Sequence, residues 1–250
     1  LNNWRKQPFP RTAAALSGLR ITLTTLGLLM LFMGSSLASA TPEKPVMKDD
    51  RQHLLGHGHR MILIDAGHGG IDGGTSYGNI LEKDITLDIS RRLFLLLGSD
   101  GFDVALNRNG DYAPSDENRW LRSKSRHLRD LAQRKELAET LPATVVVSIH
   151  INWAPSPSKH GPLVLYRQEG RSFILAKSIQ HQLNNLYDVE AHPRPGKPFY
   201  LLNKITATTV IVEAGFVSSP IDRAKLCTPK GQQQIAEAIA DGIVAYLMEV

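Results

Sequence analysis

The chain of 250 residues carries 42% hydrophobic side chains, enough to bury a core, which excludes an overall disordered protein. Lys and Arg number 29 against 24 Asp and Glu, a formal net charge of +5, and the single cysteine, Cys227, excludes an intrachain disulfide framework and a multi-cysteine zinc knuckle. What the positive balance means depends on where the charges sit.

Arg5, Lys6, Arg11 and Arg20 precede an uncharged run that opens at Ile21, and no acidic residue occurs before Glu43. The apolar stretch from Ile21 to Met33 has the length of a signal-peptide core and is shorter than the roughly 20 residues of a spanning helix. Ala38-Ser39-Ala40 supplies the small-x-small pattern of a cleavage site, so residues 1–40 are predicted to be a signal peptide removed after Ala40, with an uncleaved membrane anchor over 21–40 as the alternative. Removing those four cations and no acid leaves 25 basic against 24 acidic residues, a nearly neutral exported chain. The basic balance therefore reports targeting, and no Lys/Arg stripe with interleaved aromatics remains to bind nucleic acid. Residues 41–59 hold Pro42, Pro45 and the glycine-spaced His53, His57 and His59 without a sustained apolar period. They are read as a linker, since a short His/Gly tract lacks the scaffold that fixes tetrahedral metal geometry.

From Met61 short apolar runs alternate with longer helical stretches, which predicts an α/β fold: a single domain over 60–250 with a mostly parallel, twisted sheet of about six strands and helices on both faces. The runs are Met61 to Ala66, Phe102 to Leu106, Thr144 to Ile149, Leu163 to Tyr166 and Thr209 to Val212, too apolar for strands wetted on one side. Between them, Ile85, Ile89, Leu93 and Leu96 form one helical stripe ended by Gly98, and Leu175, Ile179, Leu183 and Leu186 form another. Thr228 and Pro229 suit the cap and first turn of a last helix whose stripe is Ile235, Ile239, Ile243 and Tyr246 or Leu247. No appended wall-binding module is expected.

Three apolar runs stop at an ionisable residue: His68, His150 and Glu213. In a parallel sheet these lie along one carboxyl edge, where such folds bind ligands. The loop after His68 is rich in glycine (Gly69, Gly70, Gly73, Gly74, Gly78) and leads to Glu82 at the start of a helix, so that side chain can fold back over the same edge. Neither a phosphate-binding G-x-x-x-x-G-K-[ST] nor an H-E-x-x-H pair is present. Two imidazoles and a carboxylate are a ligand set for catalytic zinc, and a second carboxylate is needed to move the proton of the attacking water. Of Glu82 and Glu213, one is ligand and one is base.

Ile64-Asp65-Ala66-Gly67-His68-Gly69-Gly70, the step Leu81-Glu82-Lys83-Asp84, Val147-Ser148-Ile149-His150-Ile151-Asn152 and Val212-Glu213-Ala214-Gly215-Phe216-Val217-Ser218 resemble, in order and spacing, the blocks of the zinc-dependent N-acetylmuramoyl-L-alanine amidases of the Amidase_3 family, with its zinc-dependent exopeptidase-like fold. The resemblance implies one zinc per chain held by His68, Glu82 and His150, with Glu213 as the catalytic base, cleaving the amide between N-acetylmuramic acid and L-alanine. Arg108 before Asp111 resembles the family's Arg-x-x-Asp. Ile151, Ser219 and Thr208 stand where the family usually has Ala, Asn and Pro, which bears on pocket shape. Compact size and an N-terminal signal or anchor are similar to the sporulation-specific, spore-cortex type.

The expected partners are peptidoglycan, through glycan strand and stem peptide, and an accessory or regulatory protein. A monomer at the cell wall or in an extracellular or periplasm-like space is expected. Stem peptides carry carboxylates, which Arg108, Arg167, Arg194 or Lys197 could orient; Arg108, Asn152 and Arg194 are the candidate substrate contacts. Trp153 is either a glycan-contacting wall or a loop-packing residue. Cys227 is expected to be a small packed residue, and His127, His160, His181 and His192 to be solvated or locally bonded. The rival readings are a non-catalytic peptidoglycan-binding relative and a zinc peptidase cutting within the stem.

Overall fold

Valine, isoleucine and leucine dominate five of the six segments that pair into one sheet. The computed structural model describes residues 60–250, so the predicted signal peptide, the linker and His53, His57 and His59 lie outside the described residues. The strands are β1 (Ile62–Ala66), β4 (Val104–Leu106), β5 (Val145–Asn152), β6 (Leu163–Tyr166), β7 (Arg194–Pro195) and β8 (Thr208–Phe216), in the order β4-β1-β5-β8-β6-β7. All neighbours run parallel except β6 against β8. A separate two-stranded ribbon, β2 (Ser76–Tyr77) with β3 (Ile80–Leu81), closes the glycine-rich loop.

Alternation along the strands sends side chains to two different cores. Ile62, Ile64, Val145, Val147, Val210 and Val212 pack on α1 (Glu82–Ser99), α3 (Gly170–Tyr187) and α6 (Pro229–Glu249). Leu63 and Val146 face the other way, onto α2 (Arg126–Thr140) and α4 (Tyr200–Lys204). A short α5 (Pro220–Leu226) precedes α6. The sheet is thus covered on both sides, the physical reason its central strands are so rich in Val, Ile and Leu. Each fully buried Ile or Leu in these stripes contributes roughly 1.5–3 kcal/mol of transfer free energy.

The expected α6 cap is present: Thr228 accepts a hydrogen bond from Gly231 N at 3.1 Å, with Pro229 in the first turn. Both Tyr246 and Leu247 are buried. Other boundaries differ from expectation. α1 runs one residue past Gly98, and the left-handed residue that closes it is Gly101 (φ 89°), with Phe102 N bonded back to Leu97 O at 3.1 Å. Leu97, fully buried, rather than Leu96 completes the stripe. β5 and β8 continue to Asn152 and Phe216, so His150 and Glu213 lie within the last turns of long strands rather than just beyond them. Cys227 is exposed, contrary to the expected packing, because Leu226 takes the core position at the end of α5.

Candidate metal centre

The centre is assembled where β1 ends, α1 begins and β5 nears its carboxyl end. Gly67 continues the ladder, its N–H bonding Ile149 O at 3.0 Å, and a Cβ there would lie 2.6 Å from His150 Cε1. Only glycine lets the His150 ring lie this close to the strand. His68 follows in the left-handed region (φ 59°), a conformation costing on the order of 1–3 kcal/mol for a non-glycine residue. Arg134 Nη2 donates to the His68 carbonyl at 2.7 Å and holds it there.

Glu82 is the first residue of α1 and 3% exposed. Loop carbonyls already take the first helical N–H groups: Thr75 O accepts from Glu82 N at 2.9 Å and Gly73 O from Lys83 N at 3.1 Å. The Glu82 side chain is thereby free to turn inward. Its Oε1 lies 3.2 Å from His68 Nε2 and 3.0 Å from His150 Nδ1 and accepts from Ile151 N at 2.9 Å, while Oε2 accepts from Thr75 N at 2.8 Å. Burial opposes ionisation of this carboxyl, but the hydrogen bonds from the two imidazoles outweigh it and hold Glu82 far below the usual carboxylate range. Gly74 (φ 69°) makes room, since a Cβ there would stand 2.6 Å from Glu82 Oε2 and 2.7 Å from His68 Cδ2.

One donor atom each from His68, Glu82 and His150 lies within 4.8 Å of the others. Zinc bonds of about 2.0–2.2 Å at tetrahedral angles place ligand atoms roughly 3.3–3.6 Å apart, so the 3.0 and 3.2 Å carboxylate-to-ring distances are close to what a bound ion requires. Asp72 Oδ2 lies 3.2 Å from His68 Nδ1, so a metal that displaces the Nε2 proton leaves Nδ1–H donating to Asp72 and Nε2 facing the centre. Burial disfavours a charged His68 ring, yet Glu82 and Asp72 outweigh burial and raise its pKa. The same negative potential favours a divalent cation. Nitrogen and oxygen donors without thiolate fit zinc.

Glu213 is the register partner of His150 across β5 and β8. Burial, the largest influence, raises its pKa, with His150 opposing and Glu82 reinforcing the rise. The structure therefore separates the two glutamates: Glu82 sits among the ring nitrogens, and Glu213 stands beside His150 with the higher proton affinity.

Beneath the centre lies a buried ionic network that no motif announces. Asp65, 2% exposed, accepts from Arg134 Nη1 at 2.6 Å and Ser148 Oγ at 2.5 Å, and Arg134 Nε bonds Asp130 at 2.8 Å. Burial opposes ionisation of Asp65, but the Arg134 charge and the Ser148 hydroxyl hold its carboxyl below the ordinary range. Asp65 sits inside an apolar run, and its partner is on α2, 69 residues away.

Arg108 requires a correction. It is 1% exposed and its guanidinium donates to the carbonyls of Ala66, Gly67, Lys83 and Gly110 and to Thr86 Oγ1. So enclosed, it clamps β1 to α1 and does not face substrate. Asp111 of the same motif accepts from Gly70 N at 2.8 Å and pairs with Lys83 at 2.7 Å, bracing the glycine loop. Arg167 donates to Ile205 O at 3.3 Å. Asn152 and Arg194 line one cleft of about 400 Å³ beside Glu213, with His160 and His192. Lys197, His127 and His181 are exposed away from the three donors, and Trp153 is 50% exposed beside the β5 end.

A doubly covered, mostly parallel sheet with His, Glu, His and a second glutamate gathered at its carboxyl edge defines an α/β protein whose ligand-binding edge carries a candidate metal centre. The family model for N-acetylmuramoyl-L-alanine amidase, Amidase_3, matches residues 62–245, and the chain belongs to that family. It is 34% identical over 194 residues to the germination-specific N-acetylmuramoyl-L-alanine amidase of Bacillus subtilis, covering 76% of this chain and 81% of that protein. The CwlD amidase of Clostridioides difficile, solved in complex with the GerS lipoprotein, superposes with a TM-score of 0.72 at 32% identity, over 76% of this chain and all of that one. The catalytic domain of the CwlV amidase of Bacillus (Paenibacillus) polymyxa gives 0.64 at 29% identity, over 75% and 98%.

Proposed function

We propose that the chain is a zinc-dependent peptidoglycan amidase that hydrolyses the bond between the N-acetylmuramic acid lactyl group and L-alanine, releasing stem peptides from glycan. The observation that carries this reading is the convergence of His68 Nε2, Glu82 Oε1 and His150 Nδ1 beside Glu213. When bound, zinc supplies Lewis acidity, polarising the carbonyl and lowering the pKa of water. His68, Glu82 and His150 would hold the ion, and Asp72 beside Nδ1 would fix the His68 tautomer that binds it. Glu213 takes a proton from the attacking water and delivers it to the departing L-alanine nitrogen as the C–N bond breaks.

Similarity to the germination-specific relative along most of its length supports a role on spore-cortex peptidoglycan. Export by residues 1–40, or anchoring through 21–40, places the domain where that polymer is. The CwlD complex with a lipoprotein supports an accessory protein as a partner for this otherwise monomeric chain.

Mass spectrometry of digested peptidoglycan tests the reading. Intact free stem peptides are expected, with none formed when zinc is chelated. Shortened stems mean a peptidase, and no product in the presence of zinc means a non-catalytic relative; either overturns it.

A further inference from the structure

Beside Glu213, on the side away from β1, the cleft of about 400 Å³ is walled by the ends of β5 and β8 at Asn152 and Phe216 and by Leu163 of β6. Leu163 is the register partner of Glu213, and Arg194 pairs with Leu165 one strand further out. Two strand spacings and the two-residue offset along β6 put the Arg194 backbone roughly 12 Å from that of Glu213, the span of three to four extended residues. A peptide leaving the scissile amide in this direction brings its third residue within reach of the Arg194 side chain.

The cleft is held open by buried polar side chains. Asp222, fully buried, accepts from Gly161 N at 2.9 Å and Phe216 N at 2.7 Å, fixing two of its walls. Gln180, 1% exposed, accepts from Val164 N at 2.7 Å and donates to Pro162 O at 3.2 Å and to Asn184 Oδ1 at 2.9 Å; Asn184 in turn donates to Ala191 O at 2.8 Å. A site organised before binding loses little entropy when filled.

Its charges are mixed. Arg194 and Lys159 are exposed on the cleft and form no ion pair among the described residues; the Lys159 ammonium lies 5.2 Å from the Phe216 ring centroid. Glu190 lies on the same cleft. Two cations and a carboxylate suit a ligand bearing both acids and an amine, a peptide rather than a polyanion.

We propose that this cleft binds the stem peptide beyond its L-alanine, with Arg194 as the residue that selects a free carboxylate there. This rests on the amidase reading above. Guanidinium accepts carboxylate in two parallel hydrogen bonds, and a neutral carboxamide loses the charge that strengthens them. The test uses the zinc-loaded full chain and two muramyl peptides that differ only in whether the stem carboxyl groups are free or amidated. Wild type is expected to favour the free acid about tenfold in kcat/KM, mostly through KM, the size of one charge-assisted contact at a hydrated site. Arg194→Gln should lower kcat/KM for the free acid about tenfold, to the level of the amidated substrate, and Arg194→Lys should restore part of the preference. A wild type without preference, or an R194Q protein that keeps it, overturns the proposal and leaves the amidase reading standing. A wild type that cleaves neither substrate overturns both.

Discussion

The His68 ring bridges two carboxylates, Asp72 Oδ2 at Nδ1 and Glu82 Oε1 at Nε2, each at 3.2 Å. Removing the outer one by Asp72→Ala frees the tautomer and the ring, and zinc affinity should fall about 10- to 100-fold, as it does when outer partners of metal-bound histidines are lost. Competition with a chromophoric chelator measures this, and an unchanged affinity would show that Asp72 does not orient His68. Glu213→Gln acts differently, because Glu213 lies beside His150 but outside the three-donor cluster. That variant should retain one zinc per chain and lose about 10²- to 10⁴-fold in muropeptide release. Wild-type turnover by it contradicts the base assignment. The residues themselves, His68, His150, Glu82 and Glu213, stood out in the sequence because each ends an apolar run or opens a helix. Asp72 did not, because nothing in a glycine-rich loop tells whether its one acid turns toward a ring.

α2 crosses the sheet on the face opposite α1, and its buried side presents Asp130, Ala132, Arg134 and Ala138 instead of an aliphatic stripe. That composition hides the helix from a search for apolar periodicity, and the sequence reading names no helix there. Beside the packing of Ala138 and Leu137 against Leu63 and Val146, it is attached by an ionic contact: Arg134 reaches Asp65 of β1 and the His68 carbonyl. Arg134→Met leaves the Asp65 and Asp130 carboxylates buried without their counter-charge, and stability should fall by about 3–5 kcal/mol, read as a lower urea midpoint. The pH dependence has a definite sign. Because the Asp65 carboxyl is held below its ordinary value of 3.8, the stability it contributes is complete above that pH and is lost as the pH falls through the lowered pKa. In R134M burial is opposed only by the Ser148 hydroxyl and the His150 charge, so that pKa rises and acidification relieves the variant. The difference in unfolding free energy between the two proteins should therefore shrink toward acid pH. A gap constant from pH 7 to pH 3 contradicts the pairing.

Across the molecule, the donors come from three elements: the end of β1, the start of α1 and the end of β5. An ion bound there stabilises all three contacts at once, and at a thousandfold excess over the dissociation constant this contributes about 4 kcal/mol. Chelation should abolish amide cleavage and lower Tm by roughly 10 °C, and added zinc should restore both. A thermal midpoint indifferent to chelator argues against the centre. The sequence by itself determined the α/β architecture, the sheet edge carrying the polar residues and the cap at Thr228-Pro229, because apolar runs and caps act over a few residues. The same local rules missed α2 and made β5 and β8 too short, since a strand at a site ends in polar residues that no longer read as apolar. Tertiary structure alone decided which Asp meets Arg134, that Arg108 is a buried clamp rather than a substrate contact, and that Arg194 shares a cleft with Asn152. Those outcomes depend on desolvation and on partners far apart in the chain, and a charge in a sequence does not show whether it faces water, another charge or a ligand.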